Sequence, residues 1–280
     1  MFALYGLLGL TLIIFSYLFS RLTPSAAHLN FLFALGYWLF FDAIDYSLSG
    51  TSILNKIKNN KILLFYLIIS GALLGLVLDF YAILISKVWV YPTVTNLWSV
   101  IELYINWGLV LLIVYSSYRV WHYIIRKMFG MFGMELVGKS KEHIAFSLIG
   151  YTGILFLIIP FFLSLFYNVT SSVFSFGFAI LGLWFISEFV EYTRKERSLI
   201  KDVIEGHWTP IISIIIGSIV TGITWELLNL PVKAWIYTNI PFSNLTLFGI
   251  PITIILGWPF LFVVYLSFYR AIFKGNDRVW

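Results

Sequence analysis

Residues 61–85 read KILLFYLIISGALLGLVLDFYAILI, and Asp79 is the only charged residue between Lys61 and Lys87. A helix of about 20 apolar residues is long enough to cross the hydrocarbon core of a bilayer. This stretch is therefore predicted to be a transmembrane helix. The remaining sequence is similar, because 60% of the 280 residues are hydrophobic and only 11% are charged. Soluble domains contain about 25% charged residues, so the chain is predicted to be an integral membrane protein.

Seven further apolar stretches bring the number of predicted spans to eight. They lie near residues 2–20, 28–48, 97–119, 144–167, 173–192, 208–230 and 246–272. Of the 18 Lys and Arg residues, 15 lie around the C-terminal ends of the even-numbered spans or in the segments that follow. The positive-inside rule therefore predicts a multi-pass protein of the cell membrane with both termini in the cytoplasm. Because the basic residues form no clustered patch, no nucleic-acid partner is expected.

The two halves of the sequence resemble each other. A shift of 146 residues places Asp42 on Glu188, Asp45 on Glu191, and the segment KVWVY at 87–91 on the segment KAWIY at 233–237. A shift of 151 residues places Trp107 on Trp258 and Arg119 on Arg270. Each half holds four spans, an even number, so both halves must have the same orientation in the membrane. Paired repeats of this kind commonly build one site at their interface.

The predicted fold class is an all-α membrane protein of eight transmembrane helices, built from two tandem four-helix repeats in parallel orientation. The first repeat is predicted to cover residues 1–119 and the second residues 144–280. Residues 120–143 are predicted to form a basic cytoplasmic linker between them.

A first group of candidate functional residues lies near the predicted outer face. Carboxylates inside spans are costly and often functional, and this group contains three of them: Asp79, Glu102 and Glu226. The neighbouring candidates for substrate binding are Trp225, Asn229, Trp235, Tyr237, Trp89, Tyr91 and Trp98. A carboxylic acid in an aromatic, apolar setting can act as a general acid, and aromatic faces stabilise a carbocation. These residues therefore predict chemistry that begins by protonating a polyene.

A structural interpretation of the same residues stays open. Trp and Tyr also concentrate at membrane interfaces as anchors. In that case Asp79 and Glu226 pair with Lys87 and Lys233.

A second group of acidic residues lies near the predicted cytoplasmic face. It consists of Asp42, Asp45, Glu188 and Glu191. The spacing of three places each pair on one helix face, and such oxygen ligands suit Mg²⁺ bound to a diphosphate. The alternative is that these side chains are solvated or paired with basic neighbours.

Part of the second half is similar to a known family. Trp225-Glu226, Trp235-x-Tyr237, Gly249-x-Pro251 and Gly257-Trp258 resemble the pattern of the membrane-embedded, non-flavin lycopene cyclases of the heterodimeric type and of the related carotenoid hydratases. The cyclases carry P-x-E-E at the entrance to the next span, where this chain has Pro251-Ile-Thr and, in the first half, Val-Ile-Glu102. The resemblance implies that Glu226 and Glu102 donate or accept protons and that the Trp and Tyr residues line an isoprenoid pocket.

The sequence thus predicts an enzyme of the isomerase or lyase type that acts on a long isoprenoid or carotenoid-like lipid without a cofactor. Glu226 is expected to protonate the substrate. Glu102 or Asp79 is expected to accept a proton or to position the substrate. The second enzyme hypothesis is Mg²⁺-dependent prenyl transfer at the second acidic group, which faintly resembles the intramembrane aromatic prenyltransferases. A third hypothesis is a carrier or subunit with no chemistry of its own.

Overall fold

The computed structural model describes residues 2–23, 28–130, 142–167, 173–196 and 198–273, and these residues are almost entirely helical. In chain order the helices are α1 (Phe2–Leu22), α2 (His28–Ser49), α3 (Ile53–Asn59), α4 (Ile62–Asp79), α5 (Leu97–Phe129), α6 (Glu142–Tyr167), α7 (Val173–Thr193), α8 (Leu199–Ile204), α9 (Thr209–Val232) and α10 (Ile252–Ile272). A π-helical turn, Phe80–Ile85, extends α4. Within the described residues, all helices except the short α3 and α8 are long and apolar enough to cross a membrane. The eight predicted spans are therefore confirmed, and the chain is a multi-pass membrane protein.

Two very short antiparallel pairs of strands lie at one end of the helices. Strand β1 (Trp89–Val90) follows α4 and pairs with β2 (Ile236–Tyr237), which follows α9. We call this pair of strands, together with Tyr91, which follows β1 directly, the ribbon. Within it Trp89 lies opposite Tyr237. We call the end of the bundle that carries β1 and β2 the ribbon end, and the end that carries α3 and α8 the short-helix end.

The start of the last span differs from the prediction. The sequence predicts a helix from residue 246, whereas the structure has a hairpin of β3 (Thr246–Leu247) and β4 (Ile250–Pro251) before α10 begins at Ile252. The two residues of its turn, Phe248 and Gly249, both have positive φ angles, as tight two-residue hairpins require.

Helix α5 occupies the middle of the bundle and is longer than predicted. It contacts α2, α4, α9 and α10, while α7 packs against α6 and α10. It continues to Phe129, past the predicted end at residue 119, and the basic residues Arg126 and Lys127 lie in its last turn. Positive side chains are favourable there because the helix C-terminus carries partial negative charge. The first part of the predicted linker is therefore helical, and residues 131–141 of it lie outside the described residues.

Candidate functional site

The carboxylate of Asp79 is buried among aromatic hydrogen-bond donors at the ribbon end. Its Oδ1 accepts hydrogen bonds from the indole Nε1 of Trp89 at 3.1 Å and from the hydroxyl of Tyr91 at 2.8 Å. Its Oδ2 accepts one from Nε1 of Trp107 at 2.9 Å. We call these four residues the Asp79 cluster. Both carboxylate oxygens of Asp79 are thus occupied, and the donors are aromatic side chains and not Lys87.

Glu226 is the centre of a second cluster built from the same kinds of donors. The hydroxyl of Tyr237 donates to Oε1 of Glu226 at 2.6 Å, and Nε1 of Trp258 donates to the same oxygen at 3.3 Å. Asn229 shapes the adjoining loop, because its side chain exchanges two hydrogen bonds with the backbone of Trp235, at 3.0 and 3.2 Å. We call these five residues the Glu226 cluster.

A glycine one turn before each carboxylate makes room for the indole that binds it. A Cβ atom on Gly75 would lie 2.3 Å from the ring of Trp107, and one on Gly222 would lie 2.4 Å from the ring of Trp258. Real Cβ atoms do not approach other atoms this closely, so alanine at either position would displace the ring.

The two tyrosines of the ribbon remain protonated donors. Burial, followed by the charge of Asp79, raises the pKa of Tyr91 well above its usual value. Burial and the neighbouring Glu226 raise the pKa of Tyr237 in the same way. Each phenol therefore keeps the proton that it donates to its carboxylate.

A cavity of about 430 Å³ lies beside the ribbon, between α5, α7, α9 and α10. Six of the residues predicted from the sequence line it: Glu226, Trp225, Trp235, Tyr237, Trp89 and Tyr91. Most of its other walls are apolar. Asp79 does not line the cavity. It instead binds three aromatic side chains of the cavity wall, those of Trp89, Tyr91 and Trp107.

Three other predicted site residues do not line the cavity, namely Asn229, Trp98 and Glu102. Trp98 is 78% exposed, which suits an interfacial anchor and not a substrate contact. Glu102 is half-buried on α5 and does not line the cavity. The face of α5 that does so carries Leu103, Asn106 and Trp107. Successive helix positions are 100° apart, so Glu102 lies about a quarter turn from the centre of that face.

Several cavity residues were missed as site residues from the sequence, namely Asn30, Asn106, Trp107 and Trp258. Asn30 lines the wall and accepts a 2.5 Å hydrogen bond from Nε1 of Trp225, which fixes that ring. The repeated spacing Gly75-x-x-x-Asp79 and Gly222-x-x-x-Glu226 was a usable signal for the two bound indoles, since the glycine marks a close approach.

The cavity is partly open, and its rim includes Leu256 and Phe260 of α10. These side chains are 59% and 48% exposed within a predicted span, so they face the lipid. The cavity therefore extends to the exposed face of α10.

The acidic residues of the short-helix end have structural partners. Oxygens of Asp42 and Glu188 each accept a backbone N–H at the start of a short helix, from Leu54 of α3 and Ile200 of α8, both at 3.1 Å. Negative charge is stabilising at this position because helix N-termini carry unpaired N–H groups and partial positive charge. These two carboxylates thus anchor α3 and α8.

The second acid of each pair lies beside an arginine. Asp45 forms an ion pair with Arg119 at 2.7 Å, and Glu191 lies 3.8 Å from Arg270. Among the residues that the structure describes, the only group of three or more potential metal ligands is a different one, Asp202, Glu205 and His207. In the described part of the chain the four acids therefore lie at helix termini or beside arginines, which favours the structural interpretation, and the Mg²⁺ site weighed from the sequence stays a prediction.

Similarity to known proteins assigns no function to this chain. No protein-family model, no curated protein and no solved structure matches this chain.

Proposed function

We propose that this protein is a membrane-embedded enzyme of the lycopene cyclase-like type, which acts on a long isoprenoid or carotenoid-like lipid by proton-initiated cyclisation or hydration. The observation that carries the proposal is the position of Glu226, a carboxyl group on the wall of an otherwise largely apolar, aromatic cavity that opens to the bilayer. General acids of this kind act when the proton lies within reach of the substrate and water is scarce.

In the proposed reaction Glu226, in its acid form, gives its proton to one carbon of a double bond. The electron pair of that bond forms the new C–H bond, the neighbouring carbon becomes a carbocation, and Glu226 is left as a carboxylate. Because Tyr237 and Trp258 both donate to Oε1 of Glu226, Oε2 is assigned as the oxygen that carries the transferred proton. The two donors stabilise the carboxylate formed by this transfer.

The cation then leads to one of two products. In cyclisation a second double bond of the same chain supplies the electron pair that closes the ring, and the resulting cation loses a proton to the Glu226 carboxylate. The product is an isomer of the substrate. In hydration a water molecule supplies its lone pair to the cation, and the same carboxylate takes one of the water protons. Either path restores the acid form of Glu226 without a redox cofactor.

The aromatic wall suits a cationic intermediate. Trp225 and Trp258 stack with their ring centres 5.9 Å apart, and Trp89 and Tyr237 meet edge to face across the ribbon at 6.5 Å. The negative faces of such rings attract a cation by about 0.5–2 kcal/mol each. The cavity volume of about 430 Å³ fits one end of a long lipid, whose remainder passes between Leu256 and Phe260 into the bilayer.

The proposal includes the origin of the bundle in two tandem four-helix repeats of parallel orientation. It is supported by matching contacts in the two halves: Asp42 with Leu54 and Glu188 with Ile200, Asp45 with Arg119 and Glu191 with Arg270, and the Asp79 and Glu226 clusters. One extra residue separates Asp79 from Lys87, compared with Glu226 and Lys233, and the π-helical turn at Phe80–Ile85 accounts for it. The excess of Lys and Arg at the short-helix end further supports the orientation with both termini in the cytoplasm.

The experiment is expression in a host that accumulates linear C40 polyenes with and without hydroxyl end groups, followed by chromatography and mass spectrometry of the pigments. A product of unchanged mass with a shortened chromophore indicates cyclisation, and a gain of one water indicates hydration. Pigments identical to those of the empty-vector control, in cells that contain the protein in the membrane, would contradict the proposal.

A further inference from the structure

Asn106 places a polar amide in the wall of the apolar cavity. It lies on the face of α5 formed by Leu103, Asn106, Trp107 and Val110, all of which line the cavity. Its side chain is nearly buried, with 8% of the residue exposed. In the described part of the chain its carbonyl oxygen, Oδ1, is buried and has no hydrogen-bond partner.

An unpaired amide at this depth is costly. The lost hydrogen bond of a buried polar group lowers stability, and in the bilayer no bulk water replaces it. The amide is therefore better explained by a ligand atom than by its contribution to folding.

Another part of the cavity wall leaves space for that ligand. Gly257 of α10 lines the cavity, and a Cβ atom on it would meet no other atom within 4 Å. Trp235 also lines the cavity, and its buried Nε1 makes no hydrogen bond of normal geometry in the described residues. One unpaired acceptor and one donor of this kind in the same small cavity favour a group that both donates and accepts, which is a hydroxyl.

We infer that the substrate is an isoprenoid alcohol, whose hydroxyl group is bound by Asn106 while its apolar chain fills the rest of the cavity. This inference rests on the proposed function, since it names the substrate class of the same cavity. The O–H of the alcohol donates to Oδ1 of Asn106, and its oxygen accepts the N–H of Trp235. Asn106 is then a binding residue, and Glu226 acts on a double bond of the same molecule.

The test compares two probes that differ only at the oxygen, which carries a proton in one and a methyl group in the other. Labelled geranylgeraniol is bound to the purified full-length protein in lipid nanodiscs and displaced either by unlabelled geranylgeraniol or by its methyl ether. Because one hydrogen bond is worth about 0.5–1.5 kcal/mol, the wild type should bind the alcohol about three- to tenfold more tightly than the ether. Equal affinities for the two probes in the wild type would overturn the inference, whatever the behaviour of any variant.

Two variants test whether the preference for the alcohol over the ether arises in the cavity. Asn106→Leu, which keeps the side chain at about the same size, should bind the alcohol and the ether equally, and a preserved preference would overturn the role of Asn106. Gly257→Leu adds a side chain to the open space at the cavity wall, so it should weaken the binding of both probes alike, and unchanged affinities would place the ligand elsewhere. Thermal unfolding of each variant in nanodiscs verifies that it is folded.

A third variant separates this inference from the proposed function. Glu226→Gln should keep the preference for the alcohol, because Asn106 is unchanged, while pigment conversion is lost. Conversion that survives in Glu226→Gln would contradict the assignment of Glu226 as the acid and leave the alcohol preference standing. Conversion that is lost, with no preference in the wild type, would contradict the inference alone.

Discussion

The Asp79 and Glu226 clusters are assembled from the same parts and differ in what they leave free. Each has a carboxyl group one turn after a glycine, a tyrosine from the ribbon and a tryptophan from the following long helix. In the first cluster three donors occupy both oxygens of Asp79, which does not line the cavity. In the second cluster both donors share one oxygen of Glu226, which does line it. One arrangement holds aromatic rings in place, and the other leaves a carboxyl group on the cavity wall.

The largest effect should separate the two carboxylates by activity. Glu226→Gln is expected to lower pigment conversion per folded protein by about a hundredfold or more, which is the usual contribution of a general acid. Asp79→Asn, corrected for its folded fraction, should retain most of the conversion. Chromatography of the pigments, with the membrane protein quantified by an affinity tag, measures both. Equal losses in the two variants would break the distinction between the clusters.

The free energy of unfolding should distinguish the two carboxylates in the opposite direction, with the larger loss for the Asp79 variant. Asn at position 79 brings its own N–H₂ against the hydrogen-bond donors that Asp79 accepts, so Asp79→Asn should lower the free energy of unfolding by about 2–4 kcal/mol. Glu226→Gln keeps a carbonyl oxygen for Tyr237 and Trp258 and should cost about 1 kcal/mol. Unfolding in mixed micelles with increasing SDS gives both values. A larger loss for Glu226→Gln than for Asp79→Asn would contradict the structural role of Asp79.

The two glycines sharpen the same comparison. Gly75→Ala and Gly222→Ala both drive a Cβ atom into an indole ring, and each should lower the free energy of unfolding by about 1–3 kcal/mol. Only Gly222→Ala moves a ring that contacts Glu226, so it should reduce conversion by the folded protein more than Gly75→Ala, which moves Trp107 in the cavity wall. Ala72→Gly, which adds no atom on the same helix as Gly75, is a control for altered helix stability. Matching losses of conversion in both glycine variants would remove the predicted difference.

The smallest effect concerns pH. Because the pKa values of Tyr91 and Tyr237 are raised in the folded protein, their protonated forms contribute stability that is fully present below the unfolded value of about 10. Above that pH the unfolded chain releases protons that the folded chain retains, so the free energy of unfolding should fall. Tyr91→Phe and Tyr237→Phe should each reduce the slope of this fall in unfolding measurements between pH 9 and 11. An unchanged slope would mean that the phenols titrate normally.

Much of the fold was predictable because lipid imposes simple rules on sequence. Apolar length alone located all eight spans, and the paired K-x-W-x-Y segments pointed to the aromatic ends of the ribbon. The predicted start of α10 was wrong, because hydropathy does not report the backbone angles that form the turn at Phe248-Gly249.

The candidate site was predictable in composition and less so in arrangement. Glu226 and five of its aromatic neighbours were identified from the sequence and line one cavity. Whether a carboxylate lies on a cavity wall or behind it depends on hydrogen bonds that reach across several elements, as those of Asp79 do from β1 and α5. Trp98 and Glu102 were chosen by depth in the membrane, but the rotation of α5 turns them away from the cavity.

The most direct test of the different roles of the two carboxylates is the incorporation of deuterium. Membranes that contain the wild type and a preformed linear polyene are isolated and transferred to D₂O buffer, where no new polyene is made, and the carbon-bound deuterium of the product is measured by mass spectrometry. A proton donated by Glu226 exchanges with solvent, so each ring formed or water added should bring one deuterium onto carbon, in the wild type and in Asp79→Asn but not in Glu226→Gln. Product that forms without carbon-bound deuterium, or deuterated product from Glu226→Gln, would contradict the assignment of Glu226 as the acid.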